Sequence, residues 1–418
     1  MAVNNDSLKS YIIGIFSNIP GFDVEGLNGE PELLTSLIEN AQMINANFNT
    51  PINMSDVSDA REINDALKEM ASKCGRASSD KSQVSFLQLY LARVYINIKR
   101  LPKIEYDSGL TKDNFENHTI SASISIDGGG LVKPKLIFSM EDDRLSVYKG
   151  YKSLPDNQKQ LFKRELRKKV IAHELNHASV CRNSPLGVLT SFEEILVERM
   201  ALRSQKITRT LETDEYNYGY SKKSPNPESS NYRIYGAGEL LSKIIGEEKL
   251  QTARLLGVKK FSELIQQELG VSAVALNGLL DASADKQIAH KRFNGQTPEL
   301  SRINAQIGVE AFLVSKFKEK KLKTLQKPDN LTEQELYQLY RDCADIKKLI
   351  LKNKDKDKAN QMDAVKDLKE IIERLDEVCI EKGIDSEVIK KDIITKKAIE
   401  DAHYVSQNNI TNLSQQKK

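Results

Sequence analysis

Residues 170–180 read VIAHELNHASV and hold two of the chain's five histidines. His173 and His177 stand four apart, with Glu174 directly after the first. On a helix of 3.6 residues per turn, this spacing puts both imidazoles on one face, one turn apart. They can then converge on one metal ion. Glu174 lies about 100° around the helix, where it can touch a water beside the ion without ligating it. Zinc suits neutral imidazole ligands and needs no redox chemistry. Val170, Ile171, Ala172 and Leu175 are apolar, so the opposite side of the helix can be buried. Chance spacing on a solvated helix is the competing reading, and the scarcity of histidine weighs against it.

A catalytic zinc site takes three protein ligands and leaves a fourth position open. The next expected helix, about Ser191 to Ser204, reads SFEEILVERMALRS and offers Glu193, Glu194 and Glu198. Glu194 and Glu198 share a face at i, i+4. The preferred assignment makes Glu194 the third ligand and Glu198 an acceptor that orients a histidine. Glu198, and behind it Glu193, stay open as ligands. A purely solvated acidic face is the bland alternative.

Outward from this stretch, HTISASISI (118–126) alternates polar and apolar positions and reads as a strand. Asp127-Gly128-Gly129-Gly130 follows as a hairpin turn, and LVKPKLIFSM and RLSVYKGY read as further strands. The triple glycine opens no helix and lacks the Lys-Ser/Thr of a phosphate-binding loop. Ser153-Leu154-Pro155-Asp156 is a helix-start signal, and the helix is expected to stop before Asn183-Ser184-Pro185. The basic run LFKRELRKKV (161–170) reads as the wet side of that helix, because no aromatic residue interleaves with it to stack on bases.

Residues 210–235 are rich in Tyr, Ser, Asn and Pro and form a long loop, expected at the rim of the site. Beyond Gly236 the chain reads as helical. Thr332-x-x-Glu335 is a capping box, Gly383 a helix end, and KNKDKDK (352–358) a charged break.

The 418 residues exceed what one compact core holds. Hydrophobic content of 39% and charged content of 29% fit a globular, helix-rich protein. A net charge of +3, from 62 basic and 59 acidic residues, gives no bulk drive toward nucleic acid or membrane. Cys74, Cys181, Cys343 and Cys379 form no Cys-x-x-Cys pair, which argues against a disulfide framework or cysteine zinc cluster. No apolar run approaches a membrane span. The start, MAVNNDSLKSYIIGIF, lacks the basic head and cleavage site of a signal peptide. The expected division is a loosely ordered lead-in over 1–60, a catalytic domain over 61–235, a helical accessory domain over 236–404 and a disordered tail over 405–418.

His173-Glu174-Leu175-Asn176-His177-Ala178, followed by a glutamate-rich helix, resembles the glutamate-liganded zincin metallopeptidases. The HELxHA pattern with a downstream Glu-Glu pair also resembles bacterial effector metalloproteases that are injected into host cells. The match covers about residues 118–204. It implies an α+β zincin-like domain with a small sheet and an active-site helix, joined to a mostly helical C-terminal region. It implies Zn2+ on His173, His177 and Glu194, with Glu174 as catalytic base. It further implies cleavage of a specific protein, a host protein for an effector, and secretion by a route independent of a signal peptide; without that route the location is cytoplasmic. Tyr216, Tyr218, Tyr220, Tyr232, Tyr235 and His290 are candidates to hold the oxyanion, and His118 and His403 read as incidental. The alternative function is a non-catalytic helical interaction protein with a degenerate or structural metal site. A third option is a regulatory protease that cuts one transcriptional repressor.

Overall fold

The structure is a computed structural model and describes residues 4–23, 25, 31–99, 105–107, 121–127, 130–137, 155–157, 168, 171–181, 184, 186–187, 189–204, 235–292, 297–352 and 363–396. The strand expected at RLSVYKGY, the basic run apart from Lys168, the loop before Tyr235, the KNKDKDK break apart from Lys352 and the tail lie outside them.

The described residues are mostly helical with two small sheets, an α+β composition. The chain divides into two compact units. One holds residues 1–238 and 245–306, the other 239–244 and 307–418.

In the first unit, α1 (Asn5–Phe16), α2 (Glu32–Asn47), α3 (Ala60–Lys73) and α4 (Phe86–Lys99) share one core. The short β1 (Pro51–Asn53) and β2 (Gln83–Ser85) pair antiparallel and bury Ile52 and Val84. α4 follows its sequence: FLQLYLARVYINIK is apolar on most faces and is buried at most positions. A second sheet has the order β3-β5-β4, with β3 (Glu105–Asp107) parallel to β5 (Gly130–Ile137) and β4 (Ser121–Asp127) antiparallel to it. Asp127 pairs with Gly130, so the strands on either side of the glycine run form a hairpin. The pairing of Glu105–Asp107 was not legible, because three residues carry no usable alternation.

The helix that carries the two histidines, α5, is described over 171–177. Ile171, Leu175 and Ala178 fall on one stripe and join the same core as Ile12, Leu37, Met70 and Tyr90. Within 1–60, α1 and α2 are packed helices rather than loosely ordered chain. α1 and α2 share a core with α5, and Asn4 caps α1 by accepting from the backbone N–H of Asp6 at 2.8 Å. The apolar patches of this segment are short, and their burial depends on partners distant in the chain.

Six further helices continue the chain: α6 (Thr190–Ser204), α7 (Tyr235–Ile245), α8 (Glu247–Leu256), α9 (Val258–Leu269), α10 (Ala273–Ala284) and α11 (Lys286–Arg292). α6 buries Phe192, Ile195, Leu196, Val197, Met200 and Ala201, so it lies inside the unit. A Cβ on Gly238 would collide with Ile195 and Arg199, so glycine lets α7 approach α6. α8 to α11 belong to the first unit, which differs from an accessory domain beginning at 236. α8, α9 and α10 pack on α6, and a boundary drawn from a composition shift does not register that burial.

The second unit draws on α12 (Pro298–Leu325), α13 (Glu333–Lys352), α14 (Asp363–Glu381) and a helix over 386–396. Thr332 and Glu335 form the reciprocal cap, at 2.8 and 3.2 Å. Gly383 ends α14 at φ 69°, and Ile384 N–H closes onto the Cys379 carbonyl at 2.8 Å. All four cysteines are free. No described helix is long and apolar enough to cross a membrane.

Phe16 is fully buried and meets the rings of Phe22 and Tyr95 at centroid distances of 5.3 and 5.9 Å. Phe16→Ala is expected to destabilise the first unit by about 3–5 kcal/mol, read as a lower urea midpoint for that unit's transition. An unchanged midpoint would show that the N-terminal helices lie outside the cooperative core.

Candidate metal centre

α5 presents His173 and His177 on the side away from its apolar stripe, and the two rings meet edge to face with centroids 4.8 Å apart. Their Nε2 atoms are 3.1 Å apart. The Glu194 carboxylate from α6 straddles both, with Oε2 3.3 Å from His173 Nε2 and Oε1 3.6 Å from His177 Nε2. Among the described residues, His173, His177 and Glu194 form the group able to hold a metal ion, with ligand atoms within 4.8 Å of one another. Tetrahedral zinc at about 2.0–2.1 Å from each donor sets donor–donor edges of about 3.3 Å. The two imidazole nitrogens are 3.1 Å apart, close to that edge, and one Glu194 oxygen lies near each of them, at 3.3 and 3.6 Å.

The other ring nitrogens face carboxylates. His173 Nδ1 is 2.9 Å from Glu198 Oε2, and His177 Nδ1 is 3.3 Å from Glu193 Oε1. An ionised carboxylate only accepts, so Nδ1 of each ring carries the proton and donates it. Both Nε2 atoms then face the same space, which suits a proton or a cation. The three glutamates of α6 stand as follows. Glu194 faces both Nε2 atoms, Glu198 accepts from His173, and Glu193 accepts from His177, a role the spacing did not suggest.

The scaffold explains why the rings stay there. Asn176, between the two histidines, is fully buried. Its Oδ1 accepts from Tyr90 at 3.1 Å, and its Nδ2 donates to the Ala172 carbonyl at 2.8 Å. Asn40 Nδ2 donates to Tyr90 Oη at 3.0 Å. Burial raises the Tyr90 hydroxyl well above its ordinary range, against the opposing effects of Asn40 and Arg254, so it remains a donor. The carbonyls that α5 leaves open at its end are met by side chains: Asn97 donates to Ala178 at 2.7 Å and Arg254 to Asn176 at 2.6 Å. α6 is fixed at its start by α10, where Asn277 Oδ1 accepts from Phe192 N–H at 3.2 Å and Asp281 accepts from the Ser191 hydroxyl.

The electrostatics favour a cation. Burial works against charge on Glu193, yet Arg254 and His177 bring its pKa down to about 2. Glu194 is likewise lowered by the two histidines against the effect of burial. Burial alone would lower His173, but Glu194 and Glu198 outweigh it and raise the ring to about 10. Without metal, a proton on His173 supplies the positive charge.

Glu174 is half-buried beside His173. Tyr216, Tyr218, Tyr220 and Tyr232, with His118 and His403, lie outside the described residues, Tyr235 opens α7, and His290 is exposed on α11. The chain matches no protein-family profile, no curated protein and no solved structure.

Because the folded pKa of His173 is raised, the ring is protonated at neutral pH, and a metal must displace that proton. Zinc affinity is therefore expected to rise about tenfold per pH unit from pH 6 to 8, measured by competition with a chromophoric chelator. A flat profile would show that no proton is released at this site.

Proposed function

We propose that the chain is a zinc-dependent endopeptidase. The reading rests on one observation: two HExxH imidazoles and the Glu194 carboxylate converge within 4.8 Å of one another, with Glu174 next in the chain to His173. His173, His177 and Glu194 would hold the ion. When bound, zinc supplies Lewis acidity that polarises a scissile carbonyl and acidifies a water. The chain's residues do the rest. Glu198 and Glu193 hold the rings through their Nδ1 protons. Glu174 takes a proton from the attacking water and delivers it to the leaving amine. Glu194 is a quarter exposed and the histidines 14% and 16%, so the centre is shielded yet reachable by a substrate.

The substrate is proposed to be a specific protein, and the resemblance to injected effectors makes it a host protein reached by signal-peptide-independent secretion. Two imidazoles and a carboxylate also suit iron(II), and metal analysis of protein purified without chelators separates the two ions. A structural metal site in a non-catalytic interaction protein is the other reading.

Glu174→Gln is expected to keep full zinc content and lose about 10²–10⁴-fold in peptide-bond cleavage. New protein N-termini in a host-cell lysate treated with wild type, absent with the variant, are the measurement. Wild type that is fully loaded with zinc yet produces no such termini would favour the structural reading. Glu194→Ala is expected to retain no zinc at a concentration that saturates wild type. Zinc content equal to wild type would remove Glu194 from the ligand set.

A further inference from the structure

Arg254, on α8, is 1% exposed and sits beside the metal centre without touching a ligand ring. Its Nε donates to Glu193 Oε2 at 3.0 Å, and its Nη2 to Glu193 Oε1 at 2.7 Å. Nη2 also donates to the Asn176 carbonyl at 2.6 Å, and Nη1 to the Ser179 hydroxyl at 3.1 Å. Glu193 Oε1 meanwhile accepts from His177 Nδ1 at 3.3 Å.

We infer that Arg254 is the positioning residue for His177, acting through Glu193, so that the metal centre is completed by a third helix from far along the chain. The inference rests on the metal reading above. A carboxylate held at one oxygen can swing about its last bond. A guanidinium that grips both oxygens fixes its plane. Here that plane turns Oε1 toward His177. The same guanidinium holds the Asn176 carbonyl, one residue before His177 on α5. Arg254 therefore fixes both the backbone that carries the ligand and the acceptor that sets its ring angle. Lysine, a single point of charge, could not span these acceptors in the same way. Arg254 also balances Glu193, so that this carboxylate can face the imidazole as an anion without being left buried and unpaired. The consequence is that residues beyond Gly236 belong to the site itself.

The test uses the full chain as wild type, Arg254→Met, Arg254→Lys, Glu193→Gln and the double variant Glu193→Gln/Arg254→Met. Metal-free melting curves check folding. Zinc affinity is measured by chelator competition, and the geometry of the centre by the visible absorption of the Co(II) form. Each single variant is expected to bind about 10–100-fold more weakly, with a shifted Co(II) spectrum. The double variant should fall no further than the weaker single. A wild-type affinity and spectrum in Arg254→Met would overturn the inference. So would losses that add in the double variant, because Arg254 would then act on the fold independently of Glu193. If Arg254→Met does not fold, Glu193→Gln decides alone, and an unchanged affinity and spectrum overturns the inference. Wild type that takes up neither zinc nor cobalt overturns the metal reading, and this inference with it. Wild-type binding with unaffected variants overturns the inference alone.

Discussion

Two imidazoles whose outer nitrogens donate to carboxylates must turn their inner lone pairs inward. In this protein those inner atoms, His173 Nε2 and His177 Nε2, are 3.1 Å apart. The arrangement is repulsive unless a proton or a metal ion sits between them. Glu194 brings a third negative group to the same point. Glu193, Glu194 and Glu198 stand around the two rings against one guanidinium, so the acids outnumber the fixed base and positive charge between the rings is favoured. The local geometry follows from this constraint. Glu198 must be buried to reach His173, Glu193 must be paired to be buried, and α6 must pass close enough for all three glutamates to face α5.

Holding that geometry needs a backing that does not yield. α5 receives it from two directions. Its apolar stripe enters the core built by α1 to α4, and its polar side chain Asn176 enters a network with Tyr90 and Asn40. A buried network of this kind rigidifies when its members are satisfied, because any rotation leaves a donor or acceptor without a partner in a medium of low polarity. Asn176 thus couples the residues between the histidines to α2 and α4, and a shift of the helix by even an ångström would break several bonds at once.

The motif was legible because its information is local. The i, i+4 histidines, the intervening apolar positions and the i, i+4 glutamates of α6 all follow from helical periodicity. The hairpin around the glycine run and the caps at Thr332 and Gly383 were readable for the same reason. What escaped was set by distance along the chain. Arg254 stands 61 residues from Glu193, and Asn40 stands 136 from Asn176, with no period linking either pair. The role of Glu193 was invisible for a related reason. Whether a first-turn glutamate ligates a metal, orients a ring or faces water depends on the rotation of α6, which α10 fixes from outside through Asn277 and Asp281. The packing of the N-terminal helices escaped because short apolar patches among Asn and Ser look weak alone and become a core only against α3 to α5.

The density of buried charge also separates stability from function. Elsewhere in the same unit Arg93 pairs with Asp59 at 2.6 Å, both nearly inaccessible, one acid against one base. Such a pair is a fold element whose desolvation roughly cancels its attraction. At the metal centre the acids outnumber the base, and two imidazoles are turned toward each other. No gain in folding explains this, since apolar side chains of similar size would fill the space at lower cost. The proposed cation would supply the counter-charge that this cluster lacks, and its binding would offset the cost of burying the acids.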